Sequence, residues 1–232
     1  MLVVMIILSI VVAATAALTI GFTRTTAQNT ARQDQIDAAR TAVERISKTT
    51  RTAVKPSQLV SNCNATCQQA SAFAAGSAYS MRFYANLDNP RNTVGPSQIT
   101  YTVATSGADA GVLIEKVQRP DPTATPPPGG YTYCNAEAAG ASQDCRSRLT
   151  VRRYTSGVRT TTPVFTYYGS DGGKLELAAD GQLSADRLQK VLAVEVTLTV
   201  GSTGASAPRP TTYIQRITLP NAQAVVQEGE NP

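Results

Sequence analysis

The pattern of apolar and polar positions divides the chain into an apolar front, an amphipathic stretch and a long region of short alternating runs. From Met1 to Phe22, MLVVMIILSIVVAATAALTIGF, no residue is charged, and only Ser9, Thr15, Thr19 and Gly21 fall outside the apolar set. As a helix rising about 1.5 Å per residue, this stretch reaches roughly 33 Å, enough to cross a hydrocarbon core of about 30 Å. From Thr23 to Lys55 neither proline nor glycine intervenes. Apolar or small residues recur at Ile36, Ala39, Val43, Ile46 and Ala53, the three-and-four spacing of one helix face. The opposite face carries Arg32, Asp34, Asp37, Arg40, Glu44, Arg45, Lys48 and Arg51, with Arg40/Glu44 and Glu44/Lys48 at helical ion-pair spacing. Pro56 disfavours helical geometry at Lys55. The spacing therefore predicts one rod over residues 1–55, its first half facing lipid and its second half covering a domain.

After Pro56 the period shortens to two. Strands are predicted at Tyr79–Tyr84, Gln98–Ala104, Val112–Arg119, Leu149–Tyr154, Val164–Tyr168, Lys174–Leu177, Val191–Val200 and Thr212–Leu219. The clearest is VLAVEVTLTV, where Val194, Val196, Leu198 and Val200 alternate with Glu195, Thr197 and Thr199. Ser106–Gly111 and Asp171-Gly172-Gly173 turn hairpins, Gly201–Pro210 links the last pair, and Pro120–Gly130 forms a stiff extended loop. The expected fold class is α+β: a long N-terminal α-helix packed on an antiparallel β-sheet domain over residues 56–222, with a polar tail over 223–232.

Composition narrows the function. The net charge of +5 is spread along the chain. Its densest run, Arg146, Arg148, Arg152 and Arg153, reads as a solvated strand face, so no nucleic-acid partner is expected. Histidine is absent, which removes Ser-His-Asp and Cys-His nucleophilic systems, HExxH zinc sites and c-type haem attachment. No Ser-Lys or carboxylate-only motif replaces them, so the expectation is a non-enzyme with no cofactor and no metal. Asp171 and Asp180 lie among glycines, but the stretch lacks the ligand register of an EF-hand loop, and turn chemistry accounts for both. The nine tyrosines read as half-buried sheet residues rather than a binding face.

The four cysteines, Cys63, Cys67, Cys134 and Cys145, form an even set suited to disulfides in an exported domain. Three connectivities are open, and the local pairs are preferred because each closes a short loop rich in Asn, Ala, Ser and Gly. The gaps within the pairs are poor zinc spacing.

LVVMIILSIVVAA (Leu2–Ala14) resembles the N-terminal helix of type IV prepilin-like proteins, the pilins and pseudopilins. ARQDQIDAARTAVERISKTTRTAV (Ala31–Val54) resembles the second half of that helix. Leu188–Val200 followed by YIQRITLPN (Tyr213–Asn221) is similar to larger minor pilins and J-type minor pseudopilins. The resemblance implies a structural subunit of a type IV pilus or type II secretion-like filament. Its helix would be held in membrane lipid by Leu2, Val3, Val4, Ile6, Ile7, Leu8, Ile10, Val11, Val12, Leu18, Ile20 and Phe22. The same helix would pack against other pilin or pseudopilin subunits where Ala13, Ala14 and Gly21 allow close approach, and Ile36, Ala39, Val43 and Ile46 would pack on the sheet.

The family's basic leader, its Gly and its Phe-Thr-Leu-x-Glu are not in this sequence, so no residue here inherits their roles. The expectation is that the true start lies upstream of Met1 and that a prepilin peptidase acts on that leader. Topology points the same way. The basic residues near the apolar segment begin at Arg24 and would hold the domain in the cytoplasm by the positive-inside tendency. Paired cysteines favour the far side of the membrane, and a basic leader would reconcile the two. The expected location is the cytoplasmic membrane, single-pass, with the C-terminal domain extracytoplasmic, or an extracellular or periplasmic filament. The competing reading is an exported carbohydrate- or surface-binding β domain, with Met1–Ala16 a signal peptide cleaved after Ala14-Thr15-Ala16.

Overall fold

In a computed structural model of the 232-residue chain, residues 1–60, 63–87, 89, 94–122, 127–201, 207 and 209–222 are described. The expected polar tail, 223–232, lies outside them, as do parts of the Pro120–Gly130 and Gly201–Pro210 loops.

The uninterrupted pattern from Leu2 onward forms one α-helix of 49 residues, α1 (Leu2–Thr50), about 73 Å long at helical rise. It ends five residues before the expected Lys55. The backbone there is drawn into the sheet: Ala53 forms an antiparallel bridge with Ala85, and the Val54 amide donates to the Tyr84 carbonyl at 2.9 Å. A partner strand outcompetes further helical hydrogen bonds, and Pro56 then opens a short 3-10 turn over Pro56–Gln58.

Nine strands follow among the described residues: β1 (Phe73–Gly76), β2 (Ser80–Ala85), β3 (Ser97–Val103), β4 (Leu113–Gln118), β5 (Leu149–Thr155), β6 (Phe165–Tyr168), β7 (Lys174–Leu175), β8 (Ala193–Val200) and β9 (Thr211–Thr218). Three one-turn helices intervene: α2 (Ala65–Gln69), α3 (Gln143–Ser147) and α4 (Ala185–Gln189). The coarse class is thus α+β with wholly antiparallel pairing, but the strands make two sheets, not one. The first is a meander, β1-β2-β3-β4-β5, and the second has the order β7-β6-β8-β9.

The segment after β5 joins the two sheets at one end. The Val158 amide donates to the Gly111 carbonyl at the β3–β4 turn, while Val158 bridges Val200 at the end of β8. Gly157 permits this closure. Its φ is 78°, and a Cβ there would stand 2.7 Å from the Gly201 carbonyl oxygen. At the opposite edge, Ser77 bridges Gln182 and the Leu183 amide donates to the Gly76 carbonyl. One continuous core results, built on Phe73, Met81, Phe83, Ile99, Tyr101, Phe165, Tyr167, Leu198 and Ile217, all essentially inaccessible to solvent.

The rear of α1 closes this core. It packs on β8 and β9 of the second sheet and on β5 and β2 of the first. Four expected strands are shorter than their runs: β4 lacks Val112 and Arg119, β6 lacks Val164, and β7 and β8 are trimmed further. The chain enters β8 at Ala193 rather than Val191, because the Val191 amide is still bonded back to the Leu188 carbonyl at the end of α4, and β7 ends at Leu175 rather than Leu177. The Arg run also departs from a single strand face. Arg152 and Arg153 are exposed on β5, but Arg148 follows α3 with a side chain only 12% exposed, paired with Asp121 at 3.2 Å and Asp144 at 2.6 Å.

Candidate membrane-anchoring and assembly helix

The front of α1 stands clear of the domain. Leu2, Val3, Val4, Ile6, Ile7, Leu8, Ile10, Val11, Val12, Leu18, Ile20 and Phe22 are all more than half exposed, and Ala13 and Ala14 are exposed beside them. The helix is long and apolar enough to cross a membrane, and none of its most apolar window is buried against the domain. Its few hydroxyls are internally satisfied. Ser9 Oγ donates to the Ile6 carbonyl at 2.8 Å, Thr15 Oγ1 to Val11 and Val12 at 3.0 Å each, and Thr19 Oγ1 to Thr15 at 2.9 Å. Threonine back-bonding continues at Thr23, Thr25 and Thr30. A segment without charges, whose hydroxyls bond its own carbonyls, meets the main condition for a hydrocarbon environment. With Leu, Ile, Phe and Val each contributing about −0.3 to −0.6 kcal/mol near a helix centre, the apolar residues supply roughly −5 kcal/mol towards insertion.

The character of the helix changes near residue 35. Ala39, Val43 and Ile46 are wholly buried, whereas Ile36 at the entry is only half-buried. Ala42, with no exposure, and the small polar residues Ser47, Thr49 and Thr50 complete the docking face. Short side chains at these positions let the sheet approach the helix closely. Ser47 accepts a hydrogen bond from Gln215 Nε2 on β9 at 3.2 Å. Arg40 and Glu44 form the expected i,i+4 pair, Nε to Oε1 2.8 Å, on the exposed face.

Arg45 turns towards the first sheet. Its Nη2 and Nε donate to the Glu115 carboxylate at 2.9 and 3.2 Å. Glu115, on β4, has no solvent exposure, and it also accepts from the Tyr154 hydroxyl on β5. Arg152 adds a weaker charge contact at 3.8 Å. The Arg45 guanidinium is held charged by its hydrogen bonds to Glu115, against the opposing effect of burial. Burial, and secondarily the Glu115 charge, pushes the Tyr101 phenol above its ordinary range. Periodicity places Arg45 on the solvated face of the helix, and no local signal connects it to Glu115.

Both disulfides lie at the other end of the domain. Cys63 bonds Cys67 and Cys134 bonds Cys145, the local pairing, with no free cysteine among the described residues. Each second cysteine sits in a one-turn helix with a side-chain cap. Asn64 accepts from the Cys67 amide at 3.1 Å and Ser142 from the Cys145 amide at 3.2 Å. This Asn/Ser-x-x-Cys spacing is an N-cap signal that strand periodicity hides. The two regions adjoin: the Asn64 amide donates to the Pro128 carbonyl at 2.7 Å, and Gly130 packs near Cys67. Asp171 and Asp180 cap turns, accepting from the Gly173 and Gln182 amides at 2.9 Å each. Of the tyrosines, Tyr101 and Tyr167 are fully buried in the sheets, and Tyr131 and Tyr133 belong to the loop between β4 and β5.

The chain therefore has two ends of unlike chemistry. One is an unaccompanied apolar helix, and the other is a disulfide-stapled cap. Comparison with protein-family models, curated proteins and solved structures finds no match.

Proposed function

We propose that this protein is a structural subunit of a membrane-anchored filament, of the minor pilin or J-type minor pseudopilin kind. It is held in the cytoplasmic membrane by the front of α1, with its β domain extracytoplasmic. The observation that carries the reading is the division of one unbroken helix into a bare apolar front and a rear locked to two sheets. In lipid, the front is solvated by acyl chains. In an assembly, the same aliphatic surface packs against like helices, with the small residues Ala13, Ala14, Ala16, Ala17 and Gly21 permitting close approach. The rear fixes the domain to the rod, so the domain is carried wherever the helix goes. The sequence resemblance over residues 1–54 supports the same conclusion.

Photo-crosslinking from position 8 or 12 of the full chain, in cells of the source organism, tests this directly. The expected products are adducts with other subunits through their apolar helices, in addition to lipid. The competing signal-peptide reading makes the opposite claim for the intact mass of the native protein. A mature chain beginning at Ala17 would remove the assembly surface and refute the filament role.

A further inference from the structure

The outer face of the first sheet, turned away from α1, carries a polar groove that the helix does not use. Arg82, Thr100 and Lys116 align across β2, β3 and β4 in one register row, and Tyr84, Gln98 and Gln118 align in the next. Exposed antiparallel faces are usually polar and open, but this one is overhung. Residues Tyr133–Glu137 of the β4–β5 loop overhang it, and the half-open groove measures about 530 Å³, within the usual size of ligand sites.

The arch is built to stay in place. Cys134 is bonded to Cys145, and its amide donates to Asp121 Oδ1 at 3.2 Å. Arg148 ties Asp121 to Asp144 beneath it. The Tyr133 ring lies 5.7 Å from that of Tyr84, its hydroxyl donating to the Pro96 carbonyl at 2.7 Å. Lys116 Nζ contacts both Glu137 carboxylate oxygens at 2.7 Å, closing one rim.

We infer that this groove binds a saccharide chain bearing a carboxylate, of the uronic acid class. The lining is rich in groups able to meet hydroxyls. Gln98 makes no side-chain hydrogen bond among the described residues. Gln118, only 8% exposed, has just long contacts from its amide nitrogen, to the Arg119 carbonyl at 3.5 Å and Cys134 Sγ at 3.6 Å. An amide supplies donor and acceptor together, as a sugar hydroxyl requires of its partner. Charge selects further. Glu137 neutralises Lys116, which leaves Arg82 as the unneutralised cation among the described lining residues. Arg82 spends its Nε on Thr100 Oγ1 at 3.3 Å, and its terminal amino groups remain to clamp one carboxylate. A bare metal cation is repelled by the same arginine. The Tyr133 ring offers the apolar surface on which the C–H face of a pyranose rests. This inference is independent of the filament role.

The test uses the full chain in a detergent without a sugar head group, titrated calorimetrically with trigalacturonate and with the neutral galactose trimer. Trigalacturonate is expected to bind more tightly. Arg82→Gln should weaken it about tenfold, the scale of one charge-assisted hydrogen-bonding partner, while leaving the neutral trimer within about twofold. Gln98→Ala, on the solvent side of β3, should weaken both. Arg32→Gln, on the exposed helix, removes the same charge elsewhere and should change neither. Absence of binding by both trimers overturns the inference. So does an uronate affinity unaltered in Arg82→Gln, an equal loss in Arg32→Gln, or displacement of trigalacturonate by tri-aspartate at matched concentration, which would mark a mere anion site.

Discussion

The Glu115 carboxylate, wholly removed from solvent on β4, accepts two hydrogen bonds from the Arg45 guanidinium on α1, 70 residues earlier in the chain. Breaking a buried pair by deleting one partner leaves an uncompensated charge or unsatisfied donors. Arg45→Ala is expected to destabilise the domain by about 3 kcal/mol, because it strands the buried Glu115. Arg152→Ala, whose side chain is 51% exposed at 3.8 Å, should cost less than about 1 kcal/mol. Denaturant unfolding of both variants checks the order, and equal losses would refute the assignment.

Ile46→Ala removes a side chain with no exposure from the helix–sheet seam. The expected cost is about 3 kcal/mol, the transfer term plus the cavity left in the core. Ile36→Ala, at the half-buried entry, should cost clearly less. Thermal unfolding of the pair distinguishes a seam that begins at Ala39 from one that begins at Ile36.

Val11→Asp places a charge mid-way along the apolar front and should oppose insertion by about 3 kcal/mol. The measurement is partition between membrane and soluble fractions after alkaline extraction. The same variant should leave the domain's denaturant midpoint unchanged, since Val11 is exposed in a window of which nothing is buried against the domain.

Burial raises the phenol pKa values of Tyr101, Tyr133 and Tyr167 above the ordinary 10.0. The folded state therefore holds these protons more tightly than the unfolded chain. Their contribution to stability is fully present below about pH 10 and is lost as pH climbs above it towards the raised folded values. Absorbance titration near 295 nm should show these three tyrosines ionising late, together with unfolding.

Cys134→Ser should cost about 3 kcal/mol and Cys63→Ser about 2, following the lengths of the loops closed. Urea unfolding curves of the two variants test this ranking.

Much of the architecture was legible in the residues, and the exceptions have physical reasons. Strand β8 declared itself because Val194, Val196, Leu198 and Val200 all face the core. Strand β1 did not, since Phe73-Ala-Ala-Gly76 alternates no polarity. It is a strand because Phe83 and Met81 pair with it and because Gly76 lets the Tyr167 ring lie close, where a Cβ would stand 2.9 Å away. The helix terminus at Thr50 depended on Ala85, which no window around Pro56 contains. The apolar front of α1 was plain, being a composition signal. The Arg45–Glu115 link was invisible, because local periodicity only marks Arg45 as polar. The groove on the outer sheet face was invisible too, as it requires the register of three strands and the path of a disulfide loop.

The docking of α1 on β8 and β9 sets an order of events during synthesis. Helix α1 is covered by β8 and β9, the last two strands among the described residues, and the Ser47–Gln215 hydrogen bond spans 168 residues. Until the ribosome has released Thr218, the stripe of Ala39, Val43 and Ile46 has only part of its cover. A nascent chain thus carries an unsealed apolar seam next to a lipid-seeking segment until β9 has been made. Non-local contacts of this reach are slow to form and prone to association while open. Premature termination before β9 should therefore yield aggregates or degraded chains rather than a smaller working subunit.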